Sequence, residues 1–171
     1  MKNISISSIL AAIALFSMQG CSLDEFNTRT PVADTYYMTE DGASDLVNSA
    51  YAYAQTIYSV QMWYLTELGT DLWMIGGDGP KDINNYTFDA SHANITEVWD
   101  NCYKGITACN TLLDRADNID AGSDVVDNYK GQAYFLRAYF YHILVMQFGD
   151  LPLVLHEVTA VETTATRNAV S

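Results

Sequence analysis

Basic residues are scarce in this chain. Eight Lys and Arg stand against 21 Asp and Glu in 171 residues, a formal charge of -13. Such a surface cannot neutralise a phosphate backbone or a layer of anionic headgroups, so nucleic acid and anionic lipid surfaces are excluded as partners. Three Cys are too few for a disulfide framework. The three His, at positions 92, 142 and 156, have no metal-ligand spacing, which argues against zinc chemistry, and no cofactor is expected. Two hydrolytic signatures are missing as well. There is no G-x-S-x-G elbow, and 21 acids offer many carboxylate pairs without singling one out as a glycosidase pair. The chain reads as a binder, not an enzyme.

Long apolar runs are also absent. The longest, Ile4 to Phe16, has 13 residues, where a membrane span needs roughly 20. With Lys2 before it and Gly20-Cys21 after it, residues 1–20 read as a secretory leader. A small residue directly before Cys is what a lipoprotein signal peptidase requires, and Cys21 would then carry the lipid. Met18 and Gln19 depart from the Leu three places before the Cys and the small residue two before it that are usual there. Acyl chains bury at about 0.8 kcal/mol per methylene, so a triacylated Cys21 would hold the protein firmly on a membrane. Residues 21–38, with Pro31 and no helical period, read as the acylated Cys and its tether.

What the sequence has in quantity is apolar and aromatic material. The hydrophobic fraction is 49%, ordinary for a folded chain. Tyr alone accounts for 12 residues, each an apolar ring with a hydroxyl. From Asp41 to Tyr58 the apolar residues recur at three-and-four spacing, Ala43, Leu46, Val47, Ala50, Tyr51, Ala54, Ile57 and Tyr58, with Thr39 or Asp41 placed to cap the helix. Met62 to Leu68 makes another short helical stretch, closed by Gly69. A helix of some six turns is expected from Asn94, which with Glu97 forms a capping arrangement; its stripe runs through Val98, Trp99, Cys102, Tyr103, Ile106, Cys109 and Leu113.

Cys102 and Cys109 sit seven positions apart on it, about 10.5 Å along the axis. That is beyond disulfide reach, so both are expected to be free and buried. A further helix is expected from about Val125 to Phe148, ended by Gly149, with an apolar face wide enough to be packed on more than one side. Leu151 to Leu155 contains Pro152 and reads as extended. The expected class is therefore all-α, with tetratricopeptide-like antiparallel helix pairs, irregular loops and a short extended C-terminal segment. The helical domain is expected over 39–157, with an irregular tail over 158–171.

Between Gly69 and His92 lies one long polar, Gly-rich connection, the kind of segment in which binding residues concentrate. Its glycines lack the Lys-Ser or Lys-Thr of a phosphate cradle. Asp78, Asp82 and Asn84 miss calcium-loop spacing and lack the closing Glu. Sugar fits better. Pyranose rings present C–H faces that stack on Trp or Tyr, while Asp and Asn bond the hydroxyls. Trp73, Tyr86, Asp78 and Asn84 supply both halves and are the expected glycan contacts. Trp63 and Trp99 are expected in the core.

Three stretches together resemble the SusD/RagB family, outer-membrane nutrient-binding lipoproteins of Bacteroidetes. They are Gly20-Cys21-Ser22-Leu23-Asp24-Glu25, then Trp99 to Ile106 (WDNCYKGI) with Cys109-Asn110, and Gly131 to Tyr141 (GQAYFLRAYFY) running into Phe148-Gly149-Asp150-Leu151-Pro152-Leu153-Val154. The last is the most specific. The resemblance implies tetratricopeptide-like helices and a lipid anchor facing outward on the cell outer membrane. It also implies capture of oligosaccharide or polysaccharide without hydrolysis, for delivery to a SusC-type TonB-dependent transporter. It leaves Arg137 and Tyr141 to packing or to the transporter interface. The rival expectation is a helical protein-interaction module of the transporter complex with no carbohydrate affinity, or a non-functional fragment.

Overall fold

The computed structural model describes residues 33–59 and 61–159. The expected leader over 1–20, the lipid site at Cys21, the first part of the tether over 21–38 and nearly all of the tail over 158–171 lie outside the described residues. The end of the expected tether is a single helical turn, α1 (Ala33–Tyr36). Then follow α2 (Glu40–Ser59), α3 (Gln61–Glu67), the short α4 (Lys81–Asn84), α5 (Ala93–Arg115) with a 3-10 turn at Ala116–Asn118, and α6 (Ser123–Phe148). No strand occurs among the described residues; the pairing of Thr39 with Asp120 is an isolated bridge.

Helix ends follow local chemistry. Thr39 caps α2 by accepting from the Gly42 N–H at 3.1 Å, while Glu40 and Asp41 sit at the positive end of its dipole. At α5 the cap is two residues earlier than the sequence pattern suggests. His92, not Asn94, ends the loop, and its Nδ1 accepts from the Asn94 N–H at 3.2 Å. The capping arrangement of Asn94 with Glu97 is thus displaced, because a ring nitrogen one residue outside the helix reaches the same orphan donor. Gly149 stops α6 with φ 70°, a left-handed backbone that costs glycine nothing, and returns its N–H to the Val145 carbonyl at 3.0 Å.

The three long helices form the body. The start of α2 lies beside the end of α5, where Asp120 donates to the Met38 carbonyl at 2.8 Å; its far end lies beside the start of α5, where Gln61 bonds Glu97 at 2.7 Å. α5 therefore runs antiparallel to α2. Phe148, at the end of α6, meets Trp99 near the start of α5, so α6 also runs antiparallel to α5. Between them lie Ala43, Val47, Ala50 and Ile57 of α2, Val98, Cys102, Ile106 and Leu112 of α5, and Leu136, Phe140 and Leu144 of α6, all buried. Gly105 lets α5 and α6 close on each other, since a Cβ there would enter the Phe140 ring.

Cys102 and Cys109 are free and buried, and burial pushes both thiols up to about 12. No helix among the described residues is long and apolar enough to cross a membrane.

After α6 the chain returns over α5 as an extended strap, residues 152–157. Its backbone is held by helix side chains instead of a neighbouring strand. Asn110, fully buried, donates to the carbonyls of Val154 (3.0 Å) and His156 (3.1 Å), and accepts from Arg137 at 2.8 Å. Arg137 also donates to the Leu155 carbonyl at 3.0 Å. The Tyr141 hydroxyl both accepts from the Val154 N–H and donates to its carbonyl. Tyr103 donates to Pro152, and Arg115 clasps Glu157 with two bonds of 2.8 and 2.9 Å. Arg137 and Tyr141 are thus packing residues whose task is to satisfy a backbone that has no sheet to join.

Candidate functional site

α3 presents two different sides. Met62 is buried and Leu65 is partly buried against the core, with Leu68 buried just beyond the helix. Trp63 lies one residue, or about 100° of helical rotation, away from Met62. It is 51% exposed, so its expected place in the core is wrong. The apolar content of α3 suggested burial, but the three-residue step from Met62 to Leu65 had already assigned the inner face.

Trp73 returns from the irregular segment after α3 and meets Trp63 edge to face, with ring centroids 5.5 Å apart and planes at 63°. Trp73 is itself 46% exposed. Together with Tyr58, Met62, Thr66 and Glu67 the two indoles line a cleft of about 370 Å³, and a second of about 200 Å³ opens on their other flank beside Ser59, Tyr64 and Leu68. The rings offer apolar faces, and Glu67 and the Thr66 hydroxyl offer polar partners beside them. Among the described residues no Lys or Arg lines either cleft. An aromatic wall with a carboxylate and a hydroxyl at its edge suits a neutral polyhydroxylated ring and disfavours an anion.

Two of the other expected contacts, Asn84 and Tyr86, hold the loop in shape. The Asn84 side-chain oxygen accepts from the Ile75 N–H at 3.2 Å, pinning the descending arm of the loop to α4. Tyr86 has φ 55°, unusual for a residue with a Cβ, and its hydroxyl donates to the Gly69 carbonyl, so the ring closes the base of the loop over Gly69. Asp78 is exposed in the turn between Gly77 and Gly79. Asp82 pairs with His92 Nε2 at 3.1 Å and ties α4 to the cap of α5. Among the described residues, no ring contact joins Tyr86 to Trp73, and only Trp73 of the four lines the cleft. Trp63 and Tyr58 were missed as lining residues. The signal that could have found Trp63 is its offset from the buried stripe of α3.

A larger hollow, about 570 Å³, lies between α2 and α5, lined by Tyr37, Tyr53, Trp99 and Tyr103 with Asp100 and Lys104. Its aromatics are committed to packing. Trp99 is clamped between Tyr103 (5.0 Å) and Phe148 (5.1 Å, planes at 89°), and all four rings are at least partly buried against the core. Trp99 is in this sense the core residue that the sequence pattern suggests. Among the described residues no group of three or more His, Cys, Asp or Glu is placed to hold a metal ion.

Comparison with known proteins agrees with this architecture. Residues 22–171 match the family model of SusD-like proteins described as starch-binding and associating with the outer membrane. The chain is 28% identical over 161 residues to SusD-like protein P2 of Formosa agariphila, an alignment covering 90% of this chain and 31% of that protein. The crystal structure of a SusD superfamily protein from Parabacteroides distasonis superposes with a TM-score of 0.63 at 24% identity, over 76% of this chain and 30% of the other. The chain thus spans under a third of the length of the relatives it matches.

Proposed function

The chain belongs to the SusD-like family of starch-binding proteins that associate with the outer membrane, and from that premise we propose that it is a non-catalytic surface lipoprotein that captures glycans and passes them to a SusC-type TonB-dependent transporter. The observation that carries the glycan reading is the Trp63–Trp73 pair, two indoles held half-exposed at a cleft with no cationic lining. Leaving each of these two large rings about half open forgoes roughly 0.7–1.5 kcal/mol of burial apiece, which a stacked sugar recovers. Asp78, Asn84 and Tyr86 stay in this reading as proposed glycan contacts on the loop that carries Trp73, a loop shaped by the bonds of Asn84 to the Ile75 N–H and of Tyr86 to the Gly69 carbonyl. Anchorage is assigned to Cys21, with 1–20 as its leader, 21–38 as tether, 39–157 as the binding domain and 158–171 as an irregular tail.

Affinity electrophoresis through gels containing soluble starch, xylan or another neutral polysaccharide tests the reading. The wild-type protein is retarded by at least one polymer, and Trp63→Ala with Trp73→Ala restores free mobility. A wild-type protein that migrates freely through every gel would defeat the proposal. Mass spectrometry of the membrane-extracted protein is expected to find a mature N-terminus at Cys21 bearing acyl chains; a soluble, unmodified Cys21 would remove the anchor. Co-purification with an outer-membrane barrel from detergent extract checks the transporter arm.

A further inference from the structure

Resting on the glycan reading above, we infer that His92 is a proton-sensitive positioning residue for that site: its neutral ring bridges α5 to α4 and so steadies the loop arm that carries Trp73, and a proton on the ring unseats it from α5. The ring has a bond at each nitrogen. Nδ1 accepts from the Asn94 N–H at 3.2 Å in the first turn of α5, and Nε2 lies 3.1 Å from the Asp82 carboxylate on α4. A nitrogen that accepts carries no proton, so the neutral ring holds its one proton on Nε2 and donates it to Asp82. The side chain is 16% exposed, and Phe88 meets it edge to face at 6.3 Å, so water has little room to replace either partner.

The path from this ring to the site is short. Ile83 buries one side of α4, and the Asp82 bond fixes how that turn faces α5. The residue after Ile83, Asn84, accepts from the Ile75 N–H at 3.2 Å, and Ile75 stands two positions after Trp73. The Asp82 carbonyl also accepts the Thr87 N–H at 2.9 Å, which joins the chain leaving α4 to the same turn. An arm tied to a loose point would spread Trp73 over more positions, and its edge-to-face contact with Trp63 at 5.5 Å would be made less of the time.

Protonation changes one bond and not the other. A charged ring has N–H groups at both nitrogens, so Nδ1 can no longer accept and the Asn94 N–H loses its partner. The new positive charge also meets the positive end of α5. The charged groups facing the ring are carboxylates, Asp82 on α4 and Asp89 on the loop before α5, and they keep hold of it. With Nδ1 seated on the Asn94 N–H the ring cannot turn about its own side-chain bonds, and Asp82 is tied to a fixed point. Without that seat the ring and Asp82 stay paired but swing together, and α4 loses its fixed bearing. Imidazole is the side chain whose ordinary charge change falls between pH 5 and 8.

Nitrogen-15 NMR of the 171-residue chain reads the bridge without any sugar. At pH 8 the His92 ring is expected to carry its proton on Nε2, and on lowering the pH to about 5 the Asn94 amide and the Trp73 indole N–H should shift with the same midpoint as the ring. Affinity for the polysaccharide that retards the wild type in gels should fall about threefold as the ring takes up its proton. His92→Asn keeps an acceptor for the Asn94 N–H but neither titrates nor reaches Asp82, so its affinity should be low and level across the same range. Circular dichroism shows whether that variant keeps the fold. A ring proton on Nδ1 at pH 8, or a Trp73 indole that ignores the titration of the ring, overturns the inference, and neither result depends on the variant. So does a folded His92→Asn protein that binds at pH 8 as tightly as the wild type. If glycan is bound with an affinity that does not follow the ring, the positioning role falls and the cleft stands. If the indole follows the ring and no polysaccharide is bound, the glycan reading falls while the coupling of His92 to Trp73 stands.

Discussion

The strap and the loop are both irregular segments laid against the same helices, and they treat their side chains in opposite ways. Around the strap, polar groups point inward and are used up: Asn110 spends its amide on two carbonyls and Arg137, and Tyr141 uses its hydroxyl as donor and acceptor to one residue. Around the loop, apolar groups point outward and are left over: Trp63 and Trp73 touch each other and keep half their surface open. A saturated polar network rigidifies a frame, whereas a half-exposed aromatic pair leaves apolar surface uncovered. One region builds the scaffold and the other displays on it.

That contrast breaks most visibly if the inward region is disturbed. Asn110→Leu removes the group that satisfies two backbone carbonyls and Arg137, and should destabilise the protein by roughly 3 kcal/mol in chemical denaturation. Gly105→Ala drives a methyl group into Phe140 and should cost about 1–3 kcal/mol. Little change in either midpoint would mean that the strap and the α5–α6 contact are dispensable.

The outward region should behave in reverse. Trp63→Ala and Trp73→Ala are expected to shift stability by less than about 1 kcal/mol while each weakens glycan binding by roughly 1–2 kcal/mol. A stability loss comparable with that of Asn110→Leu would show the indoles to be part of the frame after all.

Acid should loosen the strap and spare the loop tryptophans. Burial raises the Asp114 pKa, but bonds from the Glu157 N–H and His156 outweigh it, and the net value lies below the usual carboxylate range. A carboxyl with a lowered folded pKa contributes stability that is complete above the ordinary aspartate value near pH 4 and is lost as pH falls through the lowered one. Hydrogen exchange at the Glu157 amide, corrected for intrinsic rates, should therefore show protection that is flat above about pH 4 and declines below it. Protection that stays level down to pH 2 would sever Asp114 from the strap.

The smallest effect concerns the thiols. With Cys102 and Cys109 pushed up to about 12 by burial, neither should react with a maleimide in native protein at pH 8, and both should react in urea. Rapid native labelling would contradict the closed α5–α6 seam.

Much of the frame was legible in the residues. The stripes of α2, α5 and α6 locate the helices because burial on one side of a cylinder imposes a three-to-four period, and Thr39, Gly69 and Gly149 mark ends through capping and backbone freedom. His92 was less legible, since an imidazole acceptor seldom carries the cap. The candidate site was only half legible. Trp73 could be singled out from its polar, glycine-rich surroundings, whereas the apolar composition of α3 places Trp63 in the core and only its offset from the Met62–Leu65 step separates it.

The sequence by itself determined where the chain coils, which face of each long helix is apolar, and that the charge balance leaves neutral ligands favoured. Only the tertiary structure decided which aromatics remain uncovered and which side chains grip the strap. Helical periodicity is a local property of neighbouring residues. Exposure of Trp63 and the bonds of Asn110 depend on segments that the chain brings back from far along its length, 44 and 46 positions away for Val154 and His156.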